Sequence, residues 1–146
     1  MTEEIGENEA FAAAMEAEHA AIFGYGAVGA HLDRSGQTAS RQAEAAHRDR
    51  RDALTARMRA ASATPPIAAP AYELPFPVSD RESALRLAVH LEEGTARAWR
   101  QALPVTSGDS RRFAVAALMD GAVRAARWRR TAGTLPATVP FPGAPA

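Results

Sequence analysis

Along four segments of the chain, apolar residues recur in steps of three and four, the spacing at which side chains share one face of an α-helix. This pattern predicts helices over residues of about 7–32, 38–61, 80–103 and 110–130. Turn-forming residues between the first two and between the last two predict short loops, so that each helix pair folds back on itself. The chain is therefore expected to form two helical hairpins.

The connection between the two hairpins has a different composition. Residues 64–79 contain five prolines, which excludes a helix and predicts an extended crossover over about 62–79. Within it, Tyr72, Leu74, Phe76 and Val78 alternate with other residues, so we expect one edge of the crossover to pack on the helices. Short loop, long crossover and short loop together predict an all-α fold, a four-helix bundle forming one domain over 1–146, with a proline-rich tail at 134–146.

Charged residues interrupt the apolar faces of the predicted helices. Glu18 is the charged member of the stripe on helix 1, and Glu92 interrupts the stripe on helix 3. On helix 2, Glu44, His47 and Arg51 stand on the same seam as the apolar residues that follow them. Such groups are costly to bury unless they are paired, so they are the candidate functional residues of this chain.

Helix 4 can be phased in two ways. One stripe contains Phe113, Ala117, Asp120, Val123 or Arg124, and Arg127; a second contains Val115, Leu118, Ala122 and Ala125. Its apolar residues cover more than half of the helix circumference, which favours burial by the crossover or by a second copy of the chain. Three glycines on helix 1 (Gly24, Gly26 and Gly29) also permit a close helix neighbour, within the bundle or across a dimer. We therefore predict a homodimer.

Composition excludes several classes of protein. The chain has no cysteine, so disulfides, thiolate metal sites and thiol catalysis are excluded. Its formal net charge is zero, which argues against nucleic acid as a partner. No apolar run is long enough to span a bilayer and the acidic N-terminus lacks the pattern of a signal peptide, so we expect a cytoplasmic protein without a membrane partner. Neither a phosphate-binding loop nor a nucleophile motif is present, and no catalytic residue is predicted.

Several strings of the sequence resemble a bacterial family of ferritin-like domains of unknown function, the DUF4439 type. They are EAEHAAIFGYGAVGAHL at 16–32, ELPFPV at 73–78, AARWRRTAG at 125–133 and PFPG at 140–143. The resemblance covers nearly the whole chain. It implies a ferritin-like fold and carries no established activity.

Ferritin-like bundles build a di-metal site from one Glu on two helices and Glu-x-x-His on the other two. Here the corresponding residues are Glu18, Glu44-x-x-His47, Glu92 and Asp120-x-x-Val123, so the second histidine is missing. Two interpretations follow. The five remaining side chains bind iron or manganese, with possible oxidase or peroxide chemistry; alternatively, Arg51 and Arg127 neutralise the acids and no cofactor is bound. The sequence favours the second, a non-enzymatic structural or interaction bundle.

Overall fold

The computed structural model of the protein describes residues 5–145, and none of these residues forms a β-strand. Four α-helices follow one another: α1 (Glu7–Gly29), α2 (Arg34–Ala60), α3 (Arg81–Ala102) and α4 (Gly108–Ala132), with a short 3-10 helix (Leu103–Val105) before the last. α1 packs against both α2 and α3, and α3 packs against α4. The predicted all-α, four-helix fold is confirmed.

α2 and α3 begin at residues with side-chain caps, and two helix ends differ from the prediction: α1 ends at Gly29, before residue 32, and α2 begins before residue 38. α2 begins at Arg34 because the Asp33 side chain accepts a hydrogen bond from the Gly36 amide at 2.8 Å. The sequence had suggested a later start near residue 38, since 33–37 are turn-forming residues. α3 begins after Asp80, whose carboxylate and backbone form a reciprocal capping box with Ser83.

The crossover packs by its alternating residues, as predicted. Tyr72, Leu74, Phe76 and Val78 are partly buried, while the residues between them are exposed. Leu74, Phe76 and Val78 pack on the apolar core. The central carbon of the Arg86 guanidinium also lies over the Phe76 ring, 4.2 Å from the centre of the ring. The crossover is thus an ordered layer over the helices.

The apolar core consists of two clusters at opposite ends of the bundle. One contains Phe11, Met15, Leu54, Met58 and Trp99, and the other contains Tyr25, Val28, Leu85, Leu91 and Trp128. Between the two clusters, all four helices carry a polar residue at the same level, and this layer includes Glu18, His47 and Glu92. The interruptions seen in the sequence therefore coincide in space.

Close approach at the glycines of α1 occurs inside the bundle. A methyl group on Gly24 would lie 2.7 Å from the side-chain carbons of Leu91, and one on Gly29 would lie 3.2 Å from Oγ of Ser40. Gly26 has no such neighbour among the described residues. Two of the three glycines are thus explained by contacts within one chain.

Within residues 5–145, no helix is long and apolar enough to cross a membrane.

The phase of α4 matches neither predicted stripe. Its buried residues are small except for a tryptophan and an arginine near its end: Ala114, Ala117, Gly121, Ala125, Trp128 and Arg129. Val115, Met119 and Val123 stay exposed, Met119 by 61%. The C-terminal tail then folds back on α3 and α4, where Arg100 donates a hydrogen bond to the Pro142 carbonyl and Arg129 donates one to the Ala137 carbonyl.

Candidate functional site: a buried histidine–carboxylate–arginine cluster

His47 stands at the centre of the polar layer, between two carboxylates. Its Nδ1 lies 2.6 Å from Oε2 of Glu18 on α1, and its Nε2 lies 3.0 Å from Oε1 of Glu92 on α3. The side chains of His47, Glu18 and Glu92 are 4%, 2% and 0% exposed. Ionised carboxylates only accept hydrogen bonds, so both imidazole nitrogens donate and the ring is an imidazolium.

Aromatic side chains hold the two carboxylates in place. Trp99 Nε1 donates to the second oxygen of Glu18 at 2.7 Å. The Tyr25 hydroxyl donates to Oε1 of Glu92 and accepts from Trp128 Nε1 at 2.9 Å. The Tyr25 ring also stacks on the imidazole of His47, with ring centroids 5.7 Å apart. These contacts fix the orientation of the ring and of both acids.

The cluster reaches the surface through Arg124 on α4. Its Nε donates to Oε1 of Glu92 at 3.0 Å, and its terminal nitrogens pair with Asp120 one turn earlier. Asp120 lies 3.5 Å from a second guanidinium, that of Arg50 on α2. Three carboxylates therefore face three cationic side chains: Glu18, Glu92 and Asp120 against His47, Arg124 and Arg50. The charges balance within the cluster.

The pKa of His47 reflects a competition between burial and its two partners. Burial by itself would lower the pKa, because it removes water from the imidazolium. The hydrogen bonds and charges of Glu18 and Glu92 outweigh burial and raise the pKa of His47 from 6.5 to about 9. The ring is therefore charged at neutral pH.

The pKa values of Glu92 and Tyr25 are shifted as well. Burial would raise the pKa of Glu92, but His47 and Arg124 hold it below its usual range. Burial and the neighbouring carboxylate of Glu92 raise the pKa of Tyr25 well above its ordinary value, so the phenol stays a donor. Glu92 is thus a carboxylate and Tyr25 a neutral phenol across the physiological range.

One oxygen of the cluster has no hydrogen-bond partner among the described residues. It is Oε2 of Glu92, in a side chain that is 0% exposed. All three donors that reach Glu92 converge on its other oxygen. Oε2 lies toward Gly121, at 3.7 Å from the position a Cβ would take there. An unpaired buried oxygen is costly unless water or another donor reaches it.

Two residues that the sequence placed with the acids lie outside the cluster. Glu44 pairs with Arg48 on the surface of α2 at 2.6 Å, and Arg51 pairs with its neighbour Asp52 at 2.8 Å. His47, Leu54 and Met58 set the buried side of α2. Each residue of a helix is rotated by about 100° from the one before it. Around the axis of α2, Glu44 is therefore rotated by roughly 60° from His47, and Arg51 by roughly 40° in the same direction. This rotation turns both side chains toward solvent. The prediction that they share the buried seam was wrong.

The inward arginine is Arg124, and Arg127 was the wrong choice. Arg127 is exposed, one turn beyond Arg124, because Gly121, Ala125 and Trp128 set the phase of α4. Tyr25 and Trp99 were not among the candidate residues selected from the sequence. Their polar atoms had a detectable signal, since both lie on the same stripes as Glu18 and Glu92 and a buried indole or phenol needs a partner.

The side chains do not fit a di-metal centre in this arrangement. The two nitrogens of His47 face opposite ways, so Glu18 and Glu92 lie on opposite sides of the ring and do not converge on one point. Among residues 5–145, no group of three or more His, Asp or Glu side chains is placed to hold a metal ion. The guanidinium of Arg124 already pairs with Oε1 of Glu92, and its positive charge would repel a cation at this carboxylate. The geometry suits hydrogen bonding and ion pairing.

Comparisons with known proteins identify a family and a similar crystal structure. Residues 10–146 match the model of a family described as a domain of unknown function, DUF4439. The crystal structure of a conserved hypothetical protein from Mycobacterium tuberculosis is similar, with a TM-score of 0.85 and 41% sequence identity over 93% of this chain and 96% of that one. None of the curated proteins matches.

Proposed function

We propose, from the premise that this chain belongs to the DUF4439 family of domains of unknown function, that it is a non-enzymatic ferritin-like bundle whose buried ion network takes the place of a metal site. On this proposal the chain forms one domain, has no catalytic residue and binds no cofactor. It makes the protein a structural or interaction module. Its activity would then lie in its surfaces and cavities.

The observation that carries the proposal is that both nitrogens of His47 are used by carboxylates. A histidine that binds a metal presents one nitrogen to the ion and uses the other for a supporting contact. Here Glu18 and Glu92 take both, at 2.6 and 3.0 Å. Arg124 supplies a further fixed positive charge at Glu92. Three acids balanced by three cations leave no charge for a divalent ion to neutralise.

An iron- or manganese-binding protein is the second candidate, and one observation favours it. Oε2 of Glu92 is a buried carboxylate oxygen without a hydrogen-bond partner among the described residues. Carboxylate oxygen and imidazole are suitable ligands for both metals. For a cation to bind there, His47 must lose a proton and Arg124 must move away.

Metal content distinguishes the two candidates. We expect untagged protein, expressed with added iron and manganese, to contain well under one equivalent of either metal by elemental mass spectrometry. Adding Fe²⁺ or Mn²⁺ is expected to leave the melting temperature unchanged, since a ligand that binds only the folded state would raise it. About one or two ions per chain, lost in His47→Ala and Glu92→Ala but kept in Glu44→Ala, would establish the metal site instead.

The interaction role is assigned to the exposed side of α4, with a second copy of the chain as the partner. Val115, Met119 and Val123 follow one another at helical spacing and are exposed by 36%, 61% and 50%. A line of large apolar side chains on a helix whose opposite side is already packed is typical of a helix that pairs with another. The homodimer predicted from the sequence therefore rests on α4, without the glycines of α1.

Sedimentation velocity tests the dimer. We expect the parent protein to sediment as a dimer and Met119→Glu to sediment as a monomer, because a carboxylate would be buried at the centre of the contact. Ile67→Glu is the matched control, since Ile67 is 88% exposed but lies on the crossover. A parent protein that stays monomeric at high concentration would contradict the proposal.

A further inference from the structure

A half-open cavity lies where the C-terminal tail crosses α3 and α4. Its volume is about 390 Å³, within the range of about 300–1,000 Å³ that small-molecule sites occupy. Its wall is mostly apolar and comes from three parts of the chain: Ala96 of α3, Ala122, Val123 and Ala126 of α4, and Val139 and Pro142 of the tail. The small alanines leave this space open.

Arginines surround the apolar wall. Arg127 and Arg130 line the cavity, and among residues 5–145 neither has an ion-pair partner. Arg129 is buried, pairs with Glu93 and donates to the Ala137 carbonyl at 3.3 Å. Glu93, the carboxylate in the wall, is thereby neutralised. The cavity therefore combines an apolar interior with a net positive rim.

The tail is held closely enough to form a stable wall. Gly143 has φ of +76° and lies so near α3 that an added Cβ would stand 2.5 Å from the Ala96 carbonyl oxygen. Arg100 donates to the adjacent Pro142 carbonyl at 3.2 Å. Only glycine permits this approach, so the shape of the cavity depends on residue 143.

We propose that this cavity binds a small amphipathic anion, a carboxylate with an aliphatic chain, whose chain packs on the alanine-lined wall and whose head group pairs with Arg127 and Arg130. The apolar wall supplies contact area for the chain. The two guanidiniums without carboxylate partners supply complementary charge for the head group. The proposal uses none of the residues of the buried cluster, so it is independent of the metal-free core. It shares Val123 with the proposed dimer surface on α4.

Isothermal titration calorimetry with sodium octanoate tests the site. The parent protein is expected to bind one octanoate per chain. Ala126→Phe is expected to lower the affinity at least about tenfold, because the ring fills the cavity. The double variant Arg127→Gln, Arg130→Gln is expected to lower it roughly tenfold, as does replacing octanoate with the uncharged octanol.

Two further variants separate the site from its surroundings. Ala45→Phe, on the exposed side of α2 and outside the lining of the cavity, is expected to bind octanoate like the parent. Gly143→Ala places a methyl group against the Ala96 carbonyl and so displaces the tail, and weaker binding is expected because the tail forms part of the wall. Melting temperatures confirm that each variant is folded.

Two results would overturn the proposal. The first is no heat of binding with the parent protein. The second is binding that survives both Ala126→Phe and Gly143→Ala, which would place octanoate elsewhere.

Discussion

Replacing His47 with alanine is expected to lower the free energy of unfolding by about 3–5 kcal/mol, the cost of breaking a buried ion pair by removing one partner. The variant leaves Glu18 and Glu92 facing each other across an empty space, without the imidazolium that donates to both. Both side chains are almost fully buried, so water cannot replace the lost donors without opening the bundle. Urea unfolding followed by far-UV circular dichroism measures the change.

The control for this loss lies one turn away on the same helix. Glu44→Ala removes a surface pair with Arg48 and is expected to change the stability by no more than about 0.5 kcal/mol. The double variant Glu18→Leu, His47→Leu is expected to be more stable than the sum of the single changes predicts, by about 1–3 kcal/mol, since it removes one of the stranded charges as well. Strictly additive effects would contradict the buried network.

The stability of the protein is expected to fall as the pH rises from 6.5 to about 9. The folded state keeps a proton on His47 up to a pKa of about 9, whereas the unfolded chain releases it near 6.5. Its contribution is thus fully present below pH 6.5 and lost as the pH rises through about 9. The shift corresponds to about 3 kcal/mol, since each unit of pKa is worth about 1.4 kcal/mol.

A variant without the titrating group isolates this effect. In His47→Gln the amide still donates one hydrogen bond but carries no charge, so the same pH range is expected to show a much smaller slope. The rest of the chain is identical in the two proteins, so its own pH dependence cancels in the comparison. Equal slopes in parent and variant, measured by urea unfolding at a series of pH values, would show that His47 is neutral in the folded protein.

At low pH the sign is reversed. The pKa of Glu92 is held below its usual range by His47 and Arg124, so its contribution is present above the unfolded value and is lost as the pH falls through the folded one. His47 therefore limits the stability of the core at high pH, and Glu92 limits it at low pH.

Much of the site could be read from the sequence, because burial of a charged residue shows in the helical period. Glu18, His47 and Glu92 were identified on this basis, and all three lie in the polar layer. Glu44 was selected because Glu-x-x-His suggested a metal ligand. The spacing puts it near His47 along the helix, but rotation by roughly 60° carries it out of the core. A motif of two residues does not determine the phase of a helix.

The sequence by itself determined the four helices, the extended crossover with its alternating packed edge, and the presence of charges in the core, since these depend on periodicity and on proline content along the chain. Only the tertiary structure decided which cation faces the buried acids. α4 has apolar or small residues on most of its surface, so its phase depends on how closely Gly121 and the alanines let it approach α3. That approach places Arg124 against Glu92. Arg127 lies three residues further on, rotated by about 60° around the helix, and so it stands on the rim of the cavity.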